Sequence, residues 1–517
     1  MDVVARTRSG QVRGLHADGV ITFLGIPYAA PPFGANRFLP PQPREAWSGV
    51  RDALAYGAEC PQPKPDDPSL AAMVPDPAIP GEDCLNLNLW TSDLGSSGLP
   101  VMVWIPGGMF EVGSNASYDG SRFARDGVVC VAINYRVGAE GFLHLEDGTP
   151  NLGLLDQIAA LRWVRDNIAA FGGDPDNVTI FGESAGAMSV GTLLSMPGAS
   201  GLFRRAIAQS GAADRVIAPS IAVRVGRLLA DRFGVAPTRE ALAAVPVDRF
   251  LAGQADLKAD LLADPDPERW GEDVVASTLP WQPVMDGDVI PEHPVDRVAA
   301  GSAAGVDLIV GSNADDWRLF VAMNGALERV TDEVLTGAVR DHGYLAVAAY
   351  GLPPAETLAA YRSWYPAATP GELLAAIETD WWCRIPAIRL ADAHAPGDAA
   401  TYMYEFAWPS PAFGGVVGAC HSLEIGFVFD TLDKGVNQMS GPLLGDAPPQ
   451  GLATAMHGAW VAFARTGDPG WPRYDHERRA TMRFAVDSEV VDDPRSAERL
   501  LWERVWQPPL SRVAVGG

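Results

Sequence analysis

The sequence predicts an α/β protein built on a mostly parallel central sheet with helices on both faces. Three observations carry this expectation. Short β-branched and apolar runs, "LPVMVWIPGG", "GVVCVAINYR" and "NVTIFGES", end in glycine or polar residues as buried strands do. Between the second and third, Leu154, Leu155, Ile158, Leu161, Val164 and Ile168 recur at helical spacing before a Gly-Gly stop. Strand, helix, strand in that order reads as a parallel crossover, and "FRRAIAQSG" and "DLIVGSNADD" repeat the strand-to-turn signal further on.

The N-terminal stretch differs. "DVVARTRSGQVRGLH" and "VITFLGIPYA" alternate short apolar runs with turn residues, and "APPFGANRFLPPQP" is dense in proline, so a β meander followed by an extended surface loop is expected. Residues from about 215 to 300 and 320 to 400 are rich in Ala, Leu, Asp and Arg at helical spacing and read as helical insertions that cover the sheet over the active site. With no internal repeat, low-complexity tract or flexible linker, residues 1–517 read as one continuous unit.

Bulk properties narrow the function. A formal charge of −25 repels phosphate backbones and anionic membranes, which argues against nucleic acid or lipid headgroups as partners. The start "MDVVARTRSG" lacks a basic segment followed by an apolar core, and no apolar run reaches about 18 residues, so a cytoplasmic, soluble protein is expected. The five cysteines do not suggest a disulfide-built fold. No cluster has metal-ligand spacing, and neither a metal nor an organic cofactor is expected. The oligomeric state is not legible.

The stretch "NVTIFGESAGAMSV" has the form of a nucleophile elbow. "VTIF" supplies a strand that stops abruptly, Gly182 and Gly186 leave room for a tight turn at Ser184, and "AGAMSVGTLLSM" supplies the following helix. The plain alternative is a serine that happens to lie between glycines. A serine hydroxyl needs a base within hydrogen-bond reach, itself oriented by a carboxylate, and in this arrangement both follow the serine in the chain. His293, His342, His394, His421, His457 and His476 are the candidates. His421 lies in a glycine-bounded loop entering an apolar segment, whereas His394 and His457 lie in helix-like stretches and "YDHERRA" reads as surface.

"FGESAGAMSV", "EDCLNLNLW" and "GACHSLEIGFVFDTL", with "FLGIPYAAPPFGANRF" and "FGGDPDNVTIFGES", resemble the type-B carboxylesterases, the group of bacterial para-nitrobenzyl esterases, animal carboxylesterases and cholinesterases. The resemblance spans nearly the whole chain. It implies an α/β-hydrolase fold, with Ser184 as nucleophile and His421 as general base and then general acid. It places the acid in "GSNADDW" at Asp316, where the family usually has glutamate. Aspartate is about 1.5 Å shorter in reach, so either the loop moves inward, or neighbouring Asp315 or another carboxylate orients the histidine. The family's H-G-G-G or H-G-G-A segment is "WIPGGMF" here, with Pro106 and Met109 as departures. The oxyanion donors implied are the backbone N–H groups of Gly108, Met109 and Ala185. Glu183 and Ser210 match supporting positions beneath the site.

The resemblance also bears on substrate. The segment between Cys60 and Cys84 holds no aromatic residue, whereas cholinesterases hold their quaternary ammonium on an aromatic face in that loop. The same two cysteines match a disulfide of secreted members. Phe110, Phe320, Trp381 and Trp382 are candidates for an apolar pocket, and the expected substrate is a neutral, moderately apolar ester. An amidase, carbamate hydrolase or thioesterase with the same residues, or a binding homologue that has lost catalysis, are the competing readings.

Overall fold

A computed structural model of the chain describes residues 1–64, 78–96, 98–337, 351–433 and 440–505. Among these, thirteen strands form one sheet. They are β1 (Asp2–Arg6), β2 (Gln11–Ala17), β3 (Val20–Pro27), β4 (Val50–Asp52), β5 (Asn86–Thr91), β6 (Leu99–Ile105), β7 (Val129–Ile133), β8 (Gly173–Glu183), β9 (Arg205–Gln209), β10 (Asp307–Asn313), β11 (Thr401–Phe406), β12 (Ala480–Phe484) and β13 (Glu489–Asp492). The order across the sheet is β1-β2-β3-β5-β7-β6-β8-β9-β10-β11-β12-β13, with β4 beside β2.

From β7 through β12 every neighbouring pair is parallel. The N-terminal meander β1-β2-β3 runs antiparallel and joins the rest through β5. The apolar runs follow from this position, because a central parallel strand is covered on both faces. On β6, Val101, Val103 and Ile105 enter one core while Met102 and Trp104 enter the other. β7 divides in the same way, Val129, Val131 and Ile133 against Cys130 and Ala132.

The helix Leu152–Asn167 makes the crossover between β7 and β8 and buries Leu154, Ile158, Leu161 and Val164. The opposite face closes under Gln450–Thr466 and an aromatic cluster in which Trp104 meets Phe181 and Phe429 edge to face, at 4.8 and 5.0 Å. Between β9 and β10 lie helices that include Pro219–Phe233 and Val247–Ala263. Between β10 and β11 lie Arg318–Met323, Pro354–Trp364, Pro370–Thr379 and Ile385–His394. The carboxyl ends of β6, β8 and β10 therefore open on one side of the sheet, where α/β proteins place their chemistry.

Candidate active site

β8 stops at Glu183, and Ser184 stands between it and the helix Ala185–Leu193 with φ 58° and ψ −126°. A non-glycine residue rarely adopts this conformation, and its cost is of order 1–3 kcal/mol. The surroundings enforce it: Ser184 N–H donates to Gln209 O at 2.9 Å, and Met188 N–H donates to Ser184 O at 2.9 Å. A side chain at Gly186 would lie 2.0 Å from Ile105 O, and one at Gly182 would lie 2.7 Å from the same atom. The glycines are thus demanded by close backbone approach.

The loop after β6 lies against this elbow. A Cβ at Gly107 would be 3.0 Å from Ser184 Cβ. Gly108, Met109 and Phe110 follow with φ of 121°, 57° and 60°, and Gly108 O accepts from Glu111 N–H and Val112 N–H at 2.9 and 3.0 Å. Pro106, at the position of the family's histidine, is held through its carbonyl, which accepts from Tyr135 Oη at 2.7 Å. Among the described residues, the N–H groups of Gly108, Met109 and Ala185 have no protein acceptor. They are available to an anionic oxygen.

His421 lies in the loop that follows β11, 5% exposed. Its Nδ1 is 2.8 Å from Asp316 Oδ1, and its main-chain N–H donates to Asp316 O at 3.0 Å. Asp316 is fully buried in the turn after β10, where Oδ2 accepts from Asn313 N–H at 2.8 Å. The bond from His421 N–H to Asp316 O ties the turn after β10 to the histidine loop. Asp315 does not orient the ring. Its carboxylate accepts from Ala419 N–H at 3.0 Å and braces the histidine loop.

The second ring nitrogen shows an unexpected partner. Nε2 lies 3.1 Å from Glu183 Oε1, and among the described residues no hydrogen bond joins Ser184 Oγ to His421. Glu183 Oε1 also accepts from Ser422 Oγ at 2.8 Å. The imidazole thus lies between two carboxyl groups, Asp316 at Nδ1 and Glu183 at Nε2. Burial pulls its pKa down, but Glu183, then Asp316 and Glu424, outweigh this and push it up to about 9. Burial in turn raises Glu183, and it raises Glu424 to about 8 with help from Glu183 and Asp316.

The sequence did not mark Glu424, Ser422, Asn313, Gln209 or Trp317, all of which support the site. Glu424 Oε2 accepts from Asn313 Nδ2 at 2.6 Å and Oε1 accepts from Gln209 Nε2 at 3.3 Å. Only the i+3 spacing of Glu424 from His421 could have flagged it. Ser210, with φ 50°, holds Gly311 O through its N–H at 2.9 Å, while its buried hydroxyl has no partner among the described residues.

The four aromatic candidates separate. Phe320 lies 5.3 Å from the His421 ring, centroid to centroid. Trp382 stacks on Trp317 at 4.3 Å, and Trp317 is 6.4 Å from His421. Trp381 lies one layer back, under the Arg215 guanidinium at 4.8 Å, and Phe110 has no accessible surface and meets Phe142 edge to face. Of the other histidines, His394 and His457 lie in helices and His476 is exposed. His293 is buried, and His342 lies outside the described residues, as do residues 65–77 of the loop between Cys60 and Cys84.

A family model described as "Carboxylesterase family" matches residues 1–502. The chain belongs to the carboxylesterase family. It is 38% identical to the para-nitrobenzyl esterase of Bacillus subtilis over 96% of this chain and 97% of that protein. It is 34% identical to the phenmedipham hydrolase of Pseudarthrobacter oxydans over 95% and 97%. A crystal structure of a Geobacillus stearothermophilus carboxylesterase superposes with a TM-score of 0.81 at 38% identity, covering 96% of this chain and 99% of that one. The fold is that of the α/β-hydrolases, and the protein is a carboxylic ester hydrolase of the serine type. Among the described residues no helix is long and apolar enough to cross a membrane.

Proposed function

We propose that Ser184, His421 and Asp316 form the catalytic triad of an esterase for neutral, moderately apolar carboxylic esters, acting through an acyl-enzyme. The observation that carries this reading is the buried His421–Asp316 pair at 2.8 Å beside a serine held at φ 58°. Ser184 Oγ attacks the ester carbonyl as its proton passes to His421 Nε2, and Asp316 holds Nδ1–H and stabilises the imidazolium. The oxyanion takes the N–H groups of Gly108, Met109 and Ala185. His421 then protonates the departing alcohol, and water repeats the sequence on the acyl-enzyme.

The resting ring must first give up Glu183. Nε2 must then turn from Glu183 to Ser184 Oγ, and active-site hydrogen bonds of this kind commonly tighten only with substrate bound. The apolar wall of Phe320, Trp317 and Trp382 supports a preference for uncharged acyl or alcohol groups. A cytoplasmic setting fits the cysteines, all five of which are buried free thiols; Cys60 Sγ donates to Cys84 O at 3.8 Å. We take residues 1–517 as one unit acting without nucleic acid, membrane or cofactor.

The deciding experiment is a panel of para-nitrophenyl esters of graded acyl length run beside an anilide. Ester turnover should exceed anilide turnover, with a burst of one para-nitrophenol per chain. Ser184→Ala should abolish both the burst and fluorophosphonate labelling, and Asp316→Asn should cut kcat about 10⁴-fold with the fold intact, as loss of the acid does in other triads. An Asp316→Asn enzyme with unchanged turnover would remove Asp316 from the triad.

A further inference from the structure

One group near the triad has no part in the steps above. Residues Asp380–Arg384 form a π-helical turn between the helices Pro370–Thr379 and Ile385–His394. Such turns insert one residue into the helical register and re-aim the side chains on it. This one is anchored by a buried ion pair, Arg384 Nε to Asp380 Oδ1 at 2.5 Å, and by Tyr361 Oη donating to Asp380 Oδ2 at 2.5 Å. The widened turn carries Trp382 to the aromatic wall, with Trp381 behind it, and turns Cys383 toward Asp316.

Cys383 is 1% exposed. Its Sγ, a carboxylate oxygen of Asp316 and a ring nitrogen of His421 all lie within 4.8 Å of one another. The same Sγ is 3.5 Å from Ser210 O. The thiol thus donates to a main-chain carbonyl and has the Asp316 carboxylate close by. Burial raises the thiol far above its ordinary range, and the nearby Asp316 and Glu183 charges raise it further, so it stays a donor at any working pH.

Resting on the triad proposed above, we infer that Cys383 is a positioning residue for Asp316, its S–H supplying a third polar contact to the carboxylate that already holds His421 Nδ1 and Asn313 N–H. An ionised carboxylate has about four lone-pair sites, so the two hydrogen bonds observed leave room for a third. A donor there withdraws charge from Asp316, weakens its hold on the imidazolium and lowers the pH at which His421 becomes a free base. The other titratable groups facing this pair are Glu183 at the end of β8, Tyr404 on β11, Glu424 and Cys420 on the histidine loop, and Arg215 behind the tryptophans. None of them changes in the variants below.

The test compares Cys383→Ser, Cys383→Ala and Cys383→Val in the full-length protein, reading kcat/KM for para-nitrophenyl acetate against pH. Loss of the donor in the Ala and Val variants should move the acidic limb to higher pH and lower kcat/KM at pH 7 about three- to tenfold, the effect of one ordinary hydrogen bond, since a thiol is a weak donor. Ser, which keeps a donor, should return both toward the parent. Val restores volume without a donor, so a limb restored by Val would assign Cys383 to packing and overturn the inference. Ala and Ser variants that behave alike would overturn it too. The Asp316→Asn variant run in the same assay separates the readings: if it is inactive while all three Cys383 variants keep the parent limb, the triad stands and only this inference falls.

Discussion

The resting geometry at His421 has a consequence for pH dependence. Its pKa is pushed up to about 9 by Glu183, Asp316 and Glu424 against burial, and only the neutral imidazole can accept the serine proton. Activity should therefore still be rising between pH 7 and 9, above the ordinary histidine range near 6.5. Glu183→Gln keeps an acceptor for Ser422 Oγ and removes the negative charge beside Nε2, so the acidic limb of kcat/KM should move down by about one pH unit. An unmoved limb would mean that Glu183 is neutral in the working enzyme. Met109 gives a second expectation at this scale. Its backbone at φ 57° belongs to the oxyanion loop, and its half-buried side chain stands where the family has a small residue. A tert-butyl ester should be hydrolysed far more slowly than the ethyl ester, and Met109→Ala should narrow that gap about tenfold, the worth of relieving one to two methylenes of crowding. Comparison of the two esters on both enzymes decides it. Ser184 stood out as a candidate from its elbow pattern and His421 from its glycine-bounded loop, whereas Asp316 was marked only through the family resemblance. Glu424, Ser422 and Cys383 were not legible, because what makes them functional is approach by segments far off in the chain: Cys383 meets Ser210 across 173 residues, and Ser422 meets Glu183 across 239.

Among elements, the strand-to-helix elbow was the most readable and the π-helical turn the least. The central strands announce themselves because burial on both faces makes the whole run apolar. β8 is the instructive exception: it begins at Gly173, upstream of the run "NVTIFGES" that reads as the strand, because its polar residues extend the strand beyond the buried part. "DWWCR" reads as ordinary helix, since no residue type signals an i→i+5 register, and its effect on Cys383 emerges only in three dimensions. The elbow makes a sharper prediction. Gly186→Ala puts a methyl group 2.0 Å from Ile105 O, and neither β6 nor the following helix can yield without moving the other. The substitution should cost about 3 kcal/mol, the upper end of overpacking losses, and should reduce kcat by more than its effect on unfolding explains. Denaturant unfolding and kcat of the same preparation check it; an active, undiminished Ala variant would show that the elbow is not tightly packed.

At the scale of the whole molecule, the net charge of −25 surrounds a site that itself gathers three buried carboxyl groups, Glu183, Asp316 and Glu424. Two effects could respond to salt. Exposed charges are screened over a Debye length of about 10 Å at 0.1 M ionic strength, whereas buried carboxyls in contact with His421 are screened far less. Salt should therefore leave the chemical step nearly unchanged and act on the approach of a charged substrate. For a para-nitrophenyl ester that carries a free carboxylate on its acyl chain, kcat/KM should rise several-fold between about 0.01 and 0.3 M ionic strength, because the repulsive field that slows its encounter is removed. A neutral ester of equal length should change little, and kcat should stay constant for both. Equal salt responses for the two esters would mean that the surface charge is arranged so that the site mouth does not feel it, and the preference for uncharged substrates would then have to come from the aromatic wall alone.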